Sequence, residues 1–363
     1  MTDLVTFEER EAAGGKRLAI AMLNSEKSLN SLSLPMVEAL YPQLQKWQKD
    51  GDILAVFLHS AGEKAFCAGG DVVALHAGSA AYGEELPNNS CEEFFALEYR
   101  LDYLIHTFGK PFVVWGTGFV MGGGLGLLSG ASHRIVTETT RMAMPEITIG
   151  LYPDVGGTWF LNRTPGKTGL FLGLTGAHIN AADAEFIGLA DFFLTQDLKE
   201  EVMTALTEVK CERGVAGVME HFSALVAPQK PAGNVEAHYA WINEVCAGDL
   251  NQAIEKITAY VGDDKWCSKA AATLKAGCPV TPSLVWEQLH RGSELSLEDV
   301  FRMELTMSVN CAKRGHFKEG VRALLIDKDR DPKWTPSTFT DVNQDEVEAF
   351  FIEPWAQHPL ADL

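Results

Sequence analysis

Phe112-Val-Val-Trp-Gly-Thr-Gly-Phe-Val-Met-Gly-Gly-Gly-Leu-Gly126 is the stretch that decides the fold. Residues 112–115 are a short β-branched and aromatic run, which predicts a buried strand, and the glycines that follow do not extend it. Leu125, Leu127 and Leu128 then predict a short buried helix. The same order recurs upstream, where the apolar run 53–58 predicts a strand that leads into a second glycine-bearing loop at 61–71. Nearer the start, strand-like runs at 4–7 and 18–23 flank Ala13-Gly14-Gly15, which is a hairpin signal. Val37, Leu40, Leu44 and Trp47 recur at helical spacing behind Ser33, a candidate N-cap, and Pro42 speaks against that helix. Ser90-Cys91-Glu92-Glu93 has the form of a capping box ahead of Phe94, Leu97, Leu101, Leu104 and Ile105 on one face. Strand, glycine loop and helix repeating over residues 1 to about 195 make the fold class α/β. From Lys199 onward the pattern turns helical, with expected helices at 235–245, 250–261, 282–290 and 297–312, the last capped by Ser296 with Asp299 three on. The expected division is therefore 1–198 for the α/β core and 199–363 for a helical C-terminal region, with the Pro/Ala-rich segment 227–233 as linker candidate.

Composition narrows the function classes. A length of 363 residues buries a large core, and 46% hydrophobic with 22% charged residues is the balance of a folded globular chain. No apolar run is long enough to cross a bilayer. The net charge of −19 and pI near 4.9 put a repulsive field in front of nucleic acid and anionic membranes, so neither is an expected partner. A small polyanion remains compatible, because local backbone amides and one or two cations hold it against the global field. The seven cysteines are odd in number, scattered and without a Cys-x-x-Cys pair, the pattern of free thiols in a reducing compartment. The acidic start, residues 1–10, has neither a secretory core nor transit-peptide character, which gives a cytoplasmic expectation.

The glycine clusters have commoner meanings, and the sequence removes several. Residues 122–126 contain no Gly-x-Gly-x-x-Gly, since 127 is Leu, and no P-loop is present. Ser129 has Leu127 and Ala131 where a nucleophile elbow needs glycines. None of the ten histidines stands in a His-Glu-x-x-His or comparable cluster, so no metal site is expected. Two glycine loops, each after a strand, remain. Their backbone amides could converge on one carbonyl oxygen as an oxyanion hole, or the glycines could serve only tight turns and close packing. A third element, Met144-Pro-Glu-Ile-Thr-Ile-Gly-Leu-Tyr-Pro-Asp-Val-Gly-Gly157, places Glu146 and Asp154 in apolar surroundings, where a carboxylate's pKa rises toward a working range. Asp154 ahead of Gly156-Gly157 is also positioned to cap a helix. Cys67 reads as a small buried hydrophobe rather than a nucleophile.

Lys64-Ala-Phe-Cys-Ala-Gly-Gly-Asp71, Met121-Gly-Gly-Gly124 and Pro145-Glu146 through Pro153-Asp-Val-Gly-Gly157 resemble the signatures of the crotonase superfamily, the enoyl-CoA hydratase/isomerase family. Within it, Tyr41-Pro-Gln-Leu-Gln-Lys-Trp47, Glu319-Gly-Val-Arg-Ala323, Ile326-Asp-Lys-Asp329 and Pro332-Lys-Trp334 are similar to the branch that hydrolyses 3-hydroxyisobutyryl-CoA in valine catabolism. The match covers most of the chain and is weakest over about 199 to 280. The resemblance implies a crotonase-like spiral core of ββα units and an acyl-CoA substrate. It implies an oxyanion hole from the amides of Gly70 and Gly123, with Ala68 and Asp71 in the same motif at the substrate. Glu146 is then the main catalytic carboxylate and Asp154 its partner, positioning water or protonating the departing thiolate. Glu98 would bond the substrate's 3-hydroxyl, and Lys27, before Ser28-Leu29-Asn30, would lie in the coenzyme A loop. Coenzyme A is part of the substrate, so no cofactor is expected, and a homo-oligomer is the family default. Hydratases resembling this pattern carry a second catalytic Glu two residues after the triple glycine, where this chain has Gly126. Adding water across a double bond needs two carboxylates on one water, so thioester hydrolysis is the expected reaction. An isomerase using Glu146 and Asp154, or a non-catalytic acyl-CoA-binding protein, are the alternatives.

Overall fold

The computed structural model describes residues 3–82 and 89–363. Among the described residues nine strands follow in chain order: β1 (Val5–Ala12), β2 (Lys16–Leu23), β3 (Ile53–Ser60), β4 (Ala65–Cys67), β5 (Phe112–Gly116), β6 (Phe119–Met121), β7 (His133–Val136), β8 (Arg141–Ala143) and β9 (Phe192–Phe193). The hairpin is as expected, with β1 and β2 antiparallel across a turn at Ala13–Gly15. β3, β5, β7 and β9 add in parallel to give the order β1-β2-β3-β5-β7-β9. The strands between them, β4, β6 and β8, form a second sheet in that order. Each pair is followed by a helix or turn: β3-β4 by Val72–Tyr82, β5-β6 by Gly123–Ser129, β7-β8 by Glu146–Ile149. That is a ββα spiral, because every unit advances one place in both sheets.

β3 lies between β2 and β5 and is buried along its whole length, which is why residues 53–58 are an unbroken apolar run rather than an alternation, with His59 and Ser60 at the strand's end. The three strands of the small sheet, three residues each, are too short to show any period, and the sequence pattern does not reveal them. Helix Leu34–Lys49 runs through Pro42, which sits on its exposed side while Met36, Val37, Leu40, Leu44 and Trp47 are buried. Ser33 precedes that helix, yet its hydroxyl makes no cap bond. Ser90 likewise lies inside helix Asn89–His106 rather than capping it, whereas Ser296 does accept the Asp299 amide (3.2 Å).

The chain divides into two compact units that interleave in sequence. The first comprises Met1–Gly70, Arg100–Met142 and Ile179–Glu236, and holds the large sheet with β4 and β6. The second comprises Asp71–Tyr99, Ala143–His178 and Ala237–Leu363 and is helical. A cut at 198 follows the change of secondary structure, since β9 is the last strand. The packing units do not follow it. Segment 227–233 is no free linker: Asn180 Nδ2 donates to Ala232 O (2.7 Å), and Asp183 Oδ1 accepts the Val235 amide (2.7 Å). Among the described residues no helix is long and apolar enough to cross a membrane.

Close backbone approach holds the first unit's two sheets in register. Gly118, between β5 and β6, has φ +58°, and a Cβ there would stand 2.1 Å from Lys64 O. Gly118→Ala is therefore expected to cost about 2–4 kcal/mol in denaturant unfolding, from left-handed strain plus overpacking. Gly217→Ala, with nothing within 4 Å of the added carbon, is expected to be neutral or stabilising by up to about 1 kcal/mol.

Candidate active site

In the first unit, β4 and β6 pair in parallel, with Ala65 opposite Phe119 and Cys67 opposite Val120. The segments leaving their C-terminal ends, 68–70 and 122–124, consequently emerge side by side. Glycine is required at 69 by the left-handed backbone and at 124 by that proximity. Gly69 has φ +108° and a Cβ on it would meet Met121 O at 3.5 Å, while a Cβ on Gly124 would stand 2.4 Å from Cys67 O. Gly122, at φ 46° and ψ −121°, turns the chain into helix Gly123–Ser129. The Gly123 amide thereby falls in the first turn, where N–H groups have no intrahelical acceptor.

The loop bearing Lys27 is stitched to this glycine loop. Leu32 N donates to Gly69 O (2.8 Å) and Ala68 N to Leu29 O (3.1 Å). Buried Asn30 donates to Ala61 O and Ala65 O (both 3.0 Å) and accepts the Ser25 amide (2.9 Å). Lys27 itself is exposed on the 3-10 turn Glu26–Ser28. The structure thus gathers Lys27, Ala68, Gly70 and Gly123 in one unit. Cys67 is fully buried, with its thiol against Gly69 O (3.5 Å), the setting of a packed hydrophobe.

The second unit gathers the carboxylates. Glu98 comes from helix Asn89–His106, Glu146 opens the turn Glu146–Ile149, and Asp154 follows it; they are 2%, 5% and 4% exposed. Desolvation pushes the Glu98 carboxyl well above the usual range, and the neighbouring Asp154 and Glu146 add to it. Desolvation and then Asp154 do the same to Glu146. Asp154 is pushed up to about 6 by burial, against hydrogen bonding by Tyr99 that pulls it down. Among the described residues Glu98 Oε1 and Glu146 Oε2 make no hydrogen bond. Such a cluster is suited to carrying protons or a nucleophile, because each added negative charge is resisted and each proton is easily exchanged.

Asp154 does not cap the next helix. Its carboxylate is hydrogen-bonded to the Tyr99 hydroxyl (2.7 Å), while Glu304 from helix Leu297–Lys313 accepts the amides of Gly156 (2.7 Å) and Thr158 (2.8 Å). Val155, a β-branched residue at φ +54°, and Gly156 at φ +86° form a strained corner beside Asp154, and Glu304 grips it. Asp71 begins the second unit, where its Oδ1 accepts the Ala74 amide (3.1 Å) in the first turn of helix Val72–Tyr82. His238, Asp264 and Cys267 are the described group whose ligand atoms come close enough for a metal. Asp264 Oδ1 caps helix Lys265–Ala276 and its Oδ2 lies 3.4 Å from His238 Nε2, so the carboxylate already serves the helix start and the imidazole.

A family model described as enoyl-CoA hydratase/isomerase matches residues 18–351. The chain belongs to that family, within the crotonase superfamily. Family membership accounts for the ββα spiral and for glycine loops at the ends of β4 and β6. The chain is similar to "3-hydroxyisobutyryl-CoA hydrolase, mitochondrial" of Danio rerio, at 38% identity over 96% of this chain and 89% of the relative. It is similar to the Homo sapiens protein of the same name at 34% identity over 92% and 85%. Among solved structures it resembles an enoyl-CoA hydratase from Rhodobacter sphaeroides (TM-score 0.84, 32% identity, 96% of this chain and 97% of that one). It also resembles a carnitinyl-CoA dehydratase from Mycobacterium thermoresistibile (TM-score 0.84, 34% identity, 99% and 98%).

Tyr99, Tyr152, Glu304 and Ser308 are the site residues that sequence reasoning missed. Glu304 and Ser308 did leave a signal, since they interrupt the buried stripe Val300, Phe301, Leu305 at helical spacing. A polar residue on an apolar stripe marks a buried partner.

Asp154 sets a pH dependence of stability. Its folded pKa, near 6, is above the unfolded 3.8, so the folded state favours the protonated form. Its contribution is present in full below the unfolded value and is lost as pH rises through the folded one. The stability difference between the parent and Asp154→Asn is expected to shift by about 2 kcal/mol against the parent between about pH 4.5 and 7, in denaturant titrations. A difference that does not change with pH would refute the assignment.

Proposed function

We propose that this chain hydrolyses the thioester of 3-hydroxyisobutyryl-CoA, or of a closely related short 3-hydroxyacyl-CoA, to the free acid and coenzyme A. The observation that carries the reading is where carboxylates stand and where they do not. Glu98, Glu146 and Asp154 cluster in the second unit, while the helix opened by Gly123 carries none, its fourth residue being buried Gly126. A hydratase needs a second carboxylate to grip its water; hydrolysis needs one nucleophile or base and an acid. The names of the curated relatives support the same reaction.

In this reading the amides of Gly70 and Gly123 receive the thioester oxygen as it gains negative charge, a contribution of about 10²–10³ in rate per donor. The Glu146 carboxylate attacks the thioester carbonyl to give an anhydride, or takes a proton from attacking water. Both routes end with water's oxygen in the acid and a proton on sulfur. Asp154 supplies that proton or orients the water. Glu98 accepts from the 3-hydroxyl, and its buried, unpartnered Oε1 supports that role. Lys27, Ala68 and the start of the Asp71 helix contact the coenzyme A part. The proposed reaction uses no cofactor beyond the coenzyme A of the substrate.

The seven cysteines are free thiols, which fits a reducing compartment. We propose the cytoplasm, with the curated relatives named as mitochondrial; fractionation with compartment markers distinguishes the two. We also propose a homo-oligomer, to be read by sedimentation.

Purified protein with 3-hydroxyisobutyryl-CoA is expected to release free thiol. Glu146→Gln should lower kcat by about 10²–10⁴ while substrate still binds. No thiol release, with a change of double-bond absorbance on enoyl-CoA, would make it an isomerase or hydratase. Binding without any turnover would make it a carrier. Glu98→Gln should narrow the preference for 3-hydroxylated over unsubstituted acyl-CoA, read as the ratio of the two kcat/KM values.

A further inference from the structure

Behind Asp154 lies a row of hydroxyl groups that the proposed reaction does not use. Asp154 Oδ2 is 2.7 Å from the Tyr99 hydroxyl, which is 2.6 Å from Ser308 Oγ. Ser308 Oγ is 2.8 Å from the Tyr152 hydroxyl, and that hydroxyl is 2.6 Å from the main-chain oxygen of Glu304. Tyr99, Tyr152 and Ser308 are fully buried. All five residues belong to the second unit, on helices Asn89–His106 and Leu297–Lys313 and the loop between Glu146 and Gly156.

Counting protons along this row shows what it does. There are four short O···O contacts and three hydroxyl protons, and the row ends on a carbonyl oxygen, which only accepts. When Asp154 is protonated, the count is complete. Asp154 donates to Tyr99, Tyr99 to Ser308, Ser308 to Tyr152 and Tyr152 to Glu304 O. When Asp154 is ionised, the three hydroxyls turn round: Tyr152 donates to Ser308, Ser308 to Tyr99 and Tyr99 to the carboxylate. The Glu304 carbonyl then gives up only its second donor, since inside an α-helix it keeps the amide four residues on. In the ionised state three protons serve four contacts, so the Tyr152–Glu304 O contact loses its hydrogen bond while the other three keep theirs, and no proton leaves through the closed end.

We propose that Tyr99, Ser308 and Tyr152 form a reversible hydroxyl relay that positions Asp154 and lets it act, buried, as either acid or carboxylate by reversing the direction of the chain. Of the two ends, the ionised one benefits more, because a hydrogen bond to a charged acceptor is stronger than one between neutral groups and the aligned hydroxyls polarise one another. The relay works against its surroundings. Among the described residues the titratable groups around Asp154 are Glu98 and Tyr99 on one helix, Glu146 and Tyr152 on its own loop, and Glu304 and Cys311 on the other helix, and no cation is among them. Tyr99, ahead of a backbone amide, is accordingly the main group through which the protein lowers the cost of the Asp154 charge, and Ser308 holds Tyr99 in the donating rotamer.

The role of the relay in turnover rests on the proposed proton transfer by Asp154, so the test reads Asp154 without substrate. The carboxyl C=O stretch of Asp154, assigned as the infrared band lost in Asp154→Asn, is followed against pH in the full chain. In the parent it is expected to disappear with a midpoint near 6. Tyr99→Phe, which keeps the ring and removes the donor, should raise the midpoint by about one unit, and Ser308→Ala should raise it by less. If Tyr99→Phe does not fold, Ser308→Ala carries the test alone. A folded Tyr99→Phe or Ser308→Ala whose midpoint equals the parent's, with only its melting temperature lowered, would reduce the chain to packing and overturn the proposal. Thiol release measured on the same variants separates this outcome from failure of the hydrolase reading, which would leave the infrared shift in place.

Discussion

Burying several carboxylates together is the constraint on which the second unit depends. Taking a carboxylate out of water costs several kcal/mol even after the protein relaxes, and like charges compound it. Here Glu98, Glu146, Asp154 and Glu304 are each at most 5% exposed. The chain meets that cost in different ways at each. Glu304 spends both oxygens on backbone amides at a helix start, and burial still lifts its pKa to about 8. Asp154 takes a tyrosine hydroxyl. Glu98 and Glu146 each retain an oxygen that no described residue satisfies. Glu304 and Asp154 are each tied to a partner within the fold, whereas Glu98 and Glu146 keep a free acceptor oxygen.

A related constraint governs the first unit, where what must be brought close is backbone rather than charge. Parallel pairing of β4 with β6 forces the ends of two loops together, and the oxygen of Cys67 lies where any side chain at 124 would project. Glycine there is a steric necessity, and the unpaired amides of the first helical turn follow from it. On its other side the first glycine loop is tied to the segment 29–32, Ala68 N donating to Leu29 O and Leu32 N to Gly69 O. Tethering the residues before Gly70 fixes the direction in which the Gly70 amide points.

Legibility in the sequence followed the range of the interaction. β3 showed because the first six of its eight buried residues, 53–58, make an apolar run, and the final long helix showed because its stripe and its Ser296 cap are local. The strands of the small sheet did not, for three residues carry no period. Ser33 does stand at the N-cap position, but without a side-chain cap bond, and Ser90 lies inside its helix, because a local pattern places a residue near a helix start without fixing where its hydroxyl points. Asp154 read equally as a cap or a catalytic acid, and the cap reading is removed by Glu304, about 150 positions later in the chain, which accepts those amides instead.

By itself the sequence determined the α/β class, the two glycine loops, the identity of the carboxylates and the glycine at 126 that favours hydrolysis over hydration. Each of these is a property of residue type and near-neighbour spacing, which the chain states directly. Tertiary structure alone decided that 1–363 packs as two interleaved units rather than as halves cut at 198, and that Tyr99, Tyr152 and Ser308 stand in a row behind Asp154. Tyr99 and Ser308 are 209 positions apart. Only the burial of two helices and a strained loop against one another, a sum over many weak apolar contacts, brings their oxygens within hydrogen-bonding distance.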